Sequence, residues 1–166
     1  MTEPLVHKVM AMYRMRYYPV PVSLHFAKQA KTPDEILSGL NPAVASRAQD
    51  VNLLDVAHNP LINQLQYTVR GNTKDRYTVM IRAVPKGDER QYGKSDVLVS
   101  CSCRFWRYGG CEHHAYNGEY LYSPEFPIGT LDVPSIRDPQ GHNYVCKHVY
   151  RALQEARDMY FDMDTF

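Results

Sequence analysis

Four cysteines in 166 residues are too few for a disulfide framework of this size, and three of them fall within eleven residues. Such clustering points to metal binding and to a reducing compartment during synthesis. Neither sign of charge is in excess: Lys and Arg number 19, Asp and Glu 18. That excludes a basic coating protein and an acidic tail. No run approaches the ~18 apolar residues of a membrane helix, so no membrane span is expected. The first residues, broken by Arg14 and Arg16, lack the apolar core of a signal peptide. Neither GxGxxG nor GxxxxGK[ST] occurs, so no glycine loop is available to cradle a phosphate. No small-molecule substrate is expected. What the chain does have is 44% hydrophobic residues, 13 Tyr and 11 Pro. That is enough to fill a core, and the tyrosines favour half-buried contact surfaces.

Read in order, residues 1–30 are rich in Met and Tyr, and Pro19-Val20-Pro21-Val22 is extended rather than helical. This arm is expected to dock on its own domain or on a neighbouring subunit. Thr32-Pro33-Asp34-Glu35 carries a capping box and predicts a short helix stopped by Gly39. Asn41-Pro42 starts a second, expected to run to about Ala57 on the spacing of Val44, Ala48, Val51 and Leu54. Residues 66–70 and 77–84, joined through Gly71-Asn72, read as a β-hairpin, and Asp96–Ser100 as a third strand. Residues 104–145, punctuated by Gly and Pro, are expected to form a long irregular insert. A helix is expected from Val145 to about Met163, with Val149, Leu153, Ala156 and Tyr160 on one face. The fold class is therefore α+β. An N-terminal arm and helical segment (1–65) would precede a module (66–166) with a small antiparallel sheet, closed by the C-terminal helix.

Charge is segregated along the chain. Residues 70–107 carry nine Lys/Arg and four Asp/Glu, and residues 108–166 carry four and nine. The basic stretch suits nucleic acid, and the polarity equally suits head-to-tail contacts between copies. Within it, Arg104, Trp106 and Arg107 belong to a basic aromatic cluster. Such a cluster stacks on bases in one reading and roofs a small metal site in the other.

The chemistry concentrates in Cys101-x-Cys103 at a strand end and Cys146-Lys147-His148 at a helix start. Side chains at i and i+2 of a strand share a face. A curling strand end brings the two sulfurs to the ~3.8 Å separation that Zn–S bonds of ~2.3 Å require. Within a regular helix, i and i+2 point ~200° apart, so Cys146 must precede the helix and His148 must lie in its first turn. Three thiolates and one imidazole make a closed structural Zn2+ site with no position for a substrate water. A rival set uses Cys111 and His113 in place of Cys146 and His148. The loop-closure difference between spacers of 42 and 7 residues is only about 1.6 kcal/mol, small against the ~10 kcal/mol of structural zinc. The amphipathic helix after Cys146 favours the long spacer. His113, His114 and His142 are further candidates as outer ligands. Cys111 beside His113 or His114 is the one pairing that suggests a nucleophile and base, and no oxyanion motif accompanies it.

The sequence CSC followed at a distance by CKH and the apolar helix (Cys101, Cys103, Cys146, His148, Val149–Leu153) resembles the SWIM-type zinc finger, CxC–x(n)–CxH. With n of 42 and the segments CSCRFWRYGG and Pro134-Ser-Ile-Arg-Asp-Pro139, it is similar to a long-spacer group found in tailed-bacteriophage virion proteins. The resemblance implies structural zinc and a non-enzymatic component of the head, neck or tail, made in the host cytoplasm and resident in the virion. Its partners would be other virion proteins or copies of itself. The alternative is a nucleic-acid-binding zinc finger.

Overall fold

In the computed structural model of this chain, residues 31–38, 42–84, 90–122 and 136–161 are described. The Met- and Tyr-rich arm, Gly39 and the Pro134-Ser135 part of the phage-like segment lie outside them.

Three stretches alternate with period two, and their inward residues make the core. They are β2 (Gln64–Arg70), β3 (Arg76–Val84) and β4 (Asp96–Cys101). Leu65, Tyr67, Val69, Val79, Ile81, Ala83, Val97, Val99 and Cys101 are all buried. The β2–β3 hairpin pairs Thr68 with Thr78 and Arg70 with Arg76, and β4 pairs antiparallel with β3 through Ile81 and Val99. A fourth strand, β1 (Asn52–Asn59), completes an antiparallel sheet in the order β1-β2-β3-β4.

β1 corrects the expectation of a helix reaching Ala57. The helix there, α2 (Pro42–Ala48), ends nine residues earlier, after α1 (Pro33–Ser38). Val44 and Ala48 are buried on α2, Val51 in the connection that follows. Their spacing continued the helical period past the true break. β1 also lies before residue 65 and pairs along its length with β2, so the sheet spans the position where a segment boundary was expected. The capping box at α1 forms as expected. Thr32 N–H donates to Glu35 Oε2 at 2.8 Å, and Glu35 N–H to Thr32 Oγ1 at 3.3 Å.

The described residues of the insert also hold more regular structure than its composition suggests. It opens with two short helices, α3 (Arg104–Tyr108) and α4 (Cys111–Asn117). Gly110, with φ of 105°, makes the turn between them in a backbone region that favours glycine. Residues 120–122 then lie along the outer edge of β4, where Val99 N–H donates to Tyr120 O and Tyr122 N–H to Val99 O, both 2.8 Å. The terminal helix α5 (Lys147–Ala156) covers the sheet with Val149, Ala152, Leu153 and Ala156, each fully buried. It stops seven residues short of Met163. Tyr160 lies beyond it, 70% exposed, in an isolated bridge to Gln91.

Candidate metal centre

The end of the sheet where β2, β3 and β4 meet the start of α5 carries the site. β4 delivers Cys101 as its last residue, and Cys103 follows as the N-cap of α3. Cys146 is the N-cap of α5 and His148 lies in its first turn. Both caps have extended backbone, so the i, i+2 pairs are not forced apart by helical geometry. The four ligand atoms lie within 4.8 Å of one another, and all four residues are buried.

Each sulfur accepts a backbone N–H. Cys103 N–H points to Cys101 Sγ at 3.5 Å, Trp106 N–H to Cys103 Sγ at 3.3 Å and Val149 N–H to Cys146 Sγ at 3.5 Å. These bonds favour thiolate over thiol and orient each sulfur. Without a cation, three buried thiols cannot share negative charge equally. Burial first, then the neighbouring thiols, holds Cys101 well above the ordinary thiol range, and burial does the same for Cys146. Cys103 is driven the other way, chiefly by hydrogen bonds from Cys101 and Cys146, with His148 and the Trp106 amide adding to them. A divalent cation removes that conflict by deprotonating all three thiols outright.

His148 gives a second test of fit. Its ring lies against Tyr77, centroids 4.8 Å apart and planes tilted by 39°, and neither Nδ1 nor Nε2 has a hydrogen-bond partner although both are buried. It lies near enough to Cys103 to favour that thiolate, but no directed hydrogen bond forms. A neutral imidazole always has one donor and one acceptor nitrogen to satisfy. Metal ligation satisfies the acceptor. The β2–β3 turn closes over this ring: a Cβ on Gly71 would stand 3.0 Å from Lys147 Nζ and 3.3 Å from His148 Nε2. The residues fit a structural zinc site, with Cys101, Cys103, Cys146 and His148 as holders.

The rival ligands lie elsewhere. Cys111 is the first residue of α4, wholly buried in the core and outside the four-residue cluster. Burial pushes its thiol up, and the nearby Cys146 and Cys103 add to that. A protonated, buried thiol is a poor nucleophile. His113 contacts Asn117 at 3.0 Å. His114 binds Asp138 through Nε2 at 2.8 Å, and Asp138 also accepts the N–H groups of His142 (2.8 Å) and Asn143 (3.0 Å). These contacts tie α4 to the turn that precedes Cys146. Burial opposes the Asp138 charge, but the amides of Asn143 and His142, with His114, outweigh it and hold the carboxyl below its usual value.

Trp106 is only 1% exposed and packs in the core with Cys101, Cys103 and Cys146, so the candidate role of stacking on bases is closed to it. Arg104 and Arg107 are exposed. What the sequence reading missed is their company. Arg70 ends β2, Lys74 sits in the turn, Arg76 starts β3 and Lys147 starts α5, all at this same end of the sheet. None of the six cations makes an ion pair among the described residues. Asp75 is the sole carboxylate on residues 70–76 and 104–108, and α5 carries its one carboxylate, Glu155, near its far end. The register that sets Arg70 opposite Arg76 is what brings the charges together, and it needed the hairpin pairing to be seen.

A buried, closed Cys₃His set on a sheet end and a helix start defines a structural zinc-binding module. The SWIM zinc finger family matches residues 77–115 and 139–156, about a third of the chain, and the two matched segments contain all four clustered ligands. No curated protein and no solved structure matches the chain.

Proposed function

We propose that this protein is a non-catalytic building block of a tailed-bacteriophage particle. In this reading the zinc module makes protein–protein contacts with other virion proteins or with copies of itself. The observation that carries the non-catalytic part is the closure of the site. Four protein ligands complete a tetrahedral ion, all of them are buried, and the sulfurs are further committed to backbone amides. Zinc then acts as a staple between β4 and α5, fixing the surface that the insert presents. The virion assignment rests on the CSC–PSIRDP–CKH resemblance of the sequence. Co-purification with particles tests it: the protein should band with intact virions in a density gradient and resist a salt wash. Its absence from particles, or turnover through a zinc-bound water, would overturn this reading.

The six cations, which make no ion pair among the described residues, favour a second reading, contact with nucleic acid at the zinc end. Phosphate binding releases counterions, so affinity must fall linearly with salt on a log–log plot. Arg104→Ala with Arg107→Ala should then weaken DNA binding and shallow that slope by about two.

A further inference from the structure

The two edges of the sheet are finished differently. β4 has its outer edge occupied: Val97 N–H donates to Lys31 O at 2.9 Å, and Val99 bonds on both sides to residues 120–122. Among the described residues nothing pairs with the outer edge of β1. β1 is eight residues long and carries one formal charge, Asp55. Long edges of low charge invite a further strand, and proteins that stay monomeric blunt them with lysine, proline or bulges. β1 has neither lysine nor proline, and its one register shift, at Leu54, leaves Asp55–Asn59 regular.

The core face of β1 is also left open. Directly paired residues share a face, so Val56, opposite Tyr67, points to the core side. Tyr67 is 1% exposed, yet Val56 is 44% exposed. The helical layer therefore ends before β1. Leu54, at the register shift in β1, is 40% exposed, and Leu61 just beyond the strand is 64% exposed.

We infer that β1 is a homodimerisation edge, pairing antiparallel with β1 of a second copy about a twofold axis at Val56. The strand is self-complementary in that register. Core-side Val56 meets its own counterpart. Asp55 faces Ala57 on the outer side, so no charge meets its like. His58 faces Leu54. Other centres are poorer: an axis on Ala57 sets Val56 against His58 and gives up the apolar pair. The same register carries the Pro60–Ile62 turn of each copy alongside the α2–β1 junction of the other. A groove of about 540 Å³ opens there between α2 and α5, lined by Ala45, Ala48, Gln49, Tyr150, Arg151 and Gln154. Leu61 is the exposed side chain placed to enter it. The proposed surface lies at the opposite edge of the sheet from β4, and the inference does not depend on the virion reading.

The test uses the full-length zinc-loaded protein in sedimentation velocity over a concentration series. Wild type should be a concentration-dependent dimer. Val56→Arg, and separately Leu61→Asp, should raise the dimer dissociation constant roughly tenfold or more, about 1.4 kcal/mol or above, with zinc content and circular dichroism unchanged. Val56→Cys should cross-link to a covalent dimer under mild oxidation, since paired strands hold facing residues within disulfide reach. Wild type and Asn52→Cys should not. A protein monomeric at every concentration overturns the proposal. So does a monomer whose β1 amides resist hydrogen exchange, which would mean that other residues of the same chain cover the edge. A dimer indifferent to Val56→Arg and Leu61→Asp overturns it equally, by placing the interface elsewhere.

Discussion

The zinc end and the β1 edge belong to one sheet, yet they are held by opposite means. At the zinc end, β4, α3 and α5 converge, and Cys101, Cys103, Cys146 and Trp106 are at most 5% exposed. At β1, the pairing with β2 is broken only at Leu54, but among the described residues little beyond Leu53 is covered on either face, and the strand is exposed along nearly all its length. Beyond the outer edge of β1, which nothing among the described residues pairs, hydrogen bonding does not distinguish the two regions. The difference is in apolar burial and in the metal. It teaches that stability in this fold is concentrated where the helices and the cation sit. The periphery is free to be a surface.

The largest effect expected from breaking that asymmetry is loss of zinc. Chelation removes on the order of 10 kcal/mol of folding free energy and leaves three thiols and an imidazole buried together. The near-ultraviolet circular dichroism of Trp106 and the cooperative thermal transition should both disappear, and both should return on adding zinc. Next comes the pair of neighbours on α3. Trp106→Ala should cost about 3–5 kcal/mol in urea unfolding. Phe105→Ala, at 38% exposure, should cost under about 1 kcal/mol. If both cost the same, α3 does not face the core as described.

Asp138→Asn tests the brace between α4 and the turn before Cys146. Loss of charged hydrogen bonds to two amides and His114 should cost about 1.5–3 kcal/mol at neutral pH. The folded carboxyl has its pKa lowered from 3.8. The stability it supplies is thus present above the unfolded value and lost only as pH falls through the lower folded one. In a carboxyl-carbon NMR titration, Asp138 should remain ionised at pH 4.5, while exposed aspartates have begun to protonate. The smallest effect belongs to β1, where Val56→Thr should change monomer stability by no more than about 0.5 kcal/mol. A cost of 2 kcal/mol or more there would show that the edge is covered within one chain.

The two regions also differed in how far the sequence disclosed them. The hairpin, β4 and α5 were legible because each buries one face, which writes a period of two or 3.6 into the residues. The cluster of four was legible because each pair sits at an element boundary. β1 was not. A strand exposed on both faces has no apolar alternation, and Val44, Ala48 and Val51 carried a helical rhythm into it. α3 and α4 were missed because five and seven residues are too short to show a period, and Gly109-Gly110 looked like the end of structure rather than a turn between helices. The cationic rim depends on strand register and on where α3 and α5 begin, neither of which the order of residues reveals.

The geometry of Cys101, Cys103, Cys146 and His148 calls for one zinc ion that joins β4 to α5. Zinc per chain, measured in purified wild type beside Cys146→Ser and Cys111→Ser, tests it most directly. One zinc is expected in wild type and in Cys111→Ser, with the metal lost or greatly weakened in Cys146→Ser. Full zinc in Cys146→Ser with loss in Cys111→Ser would contradict it.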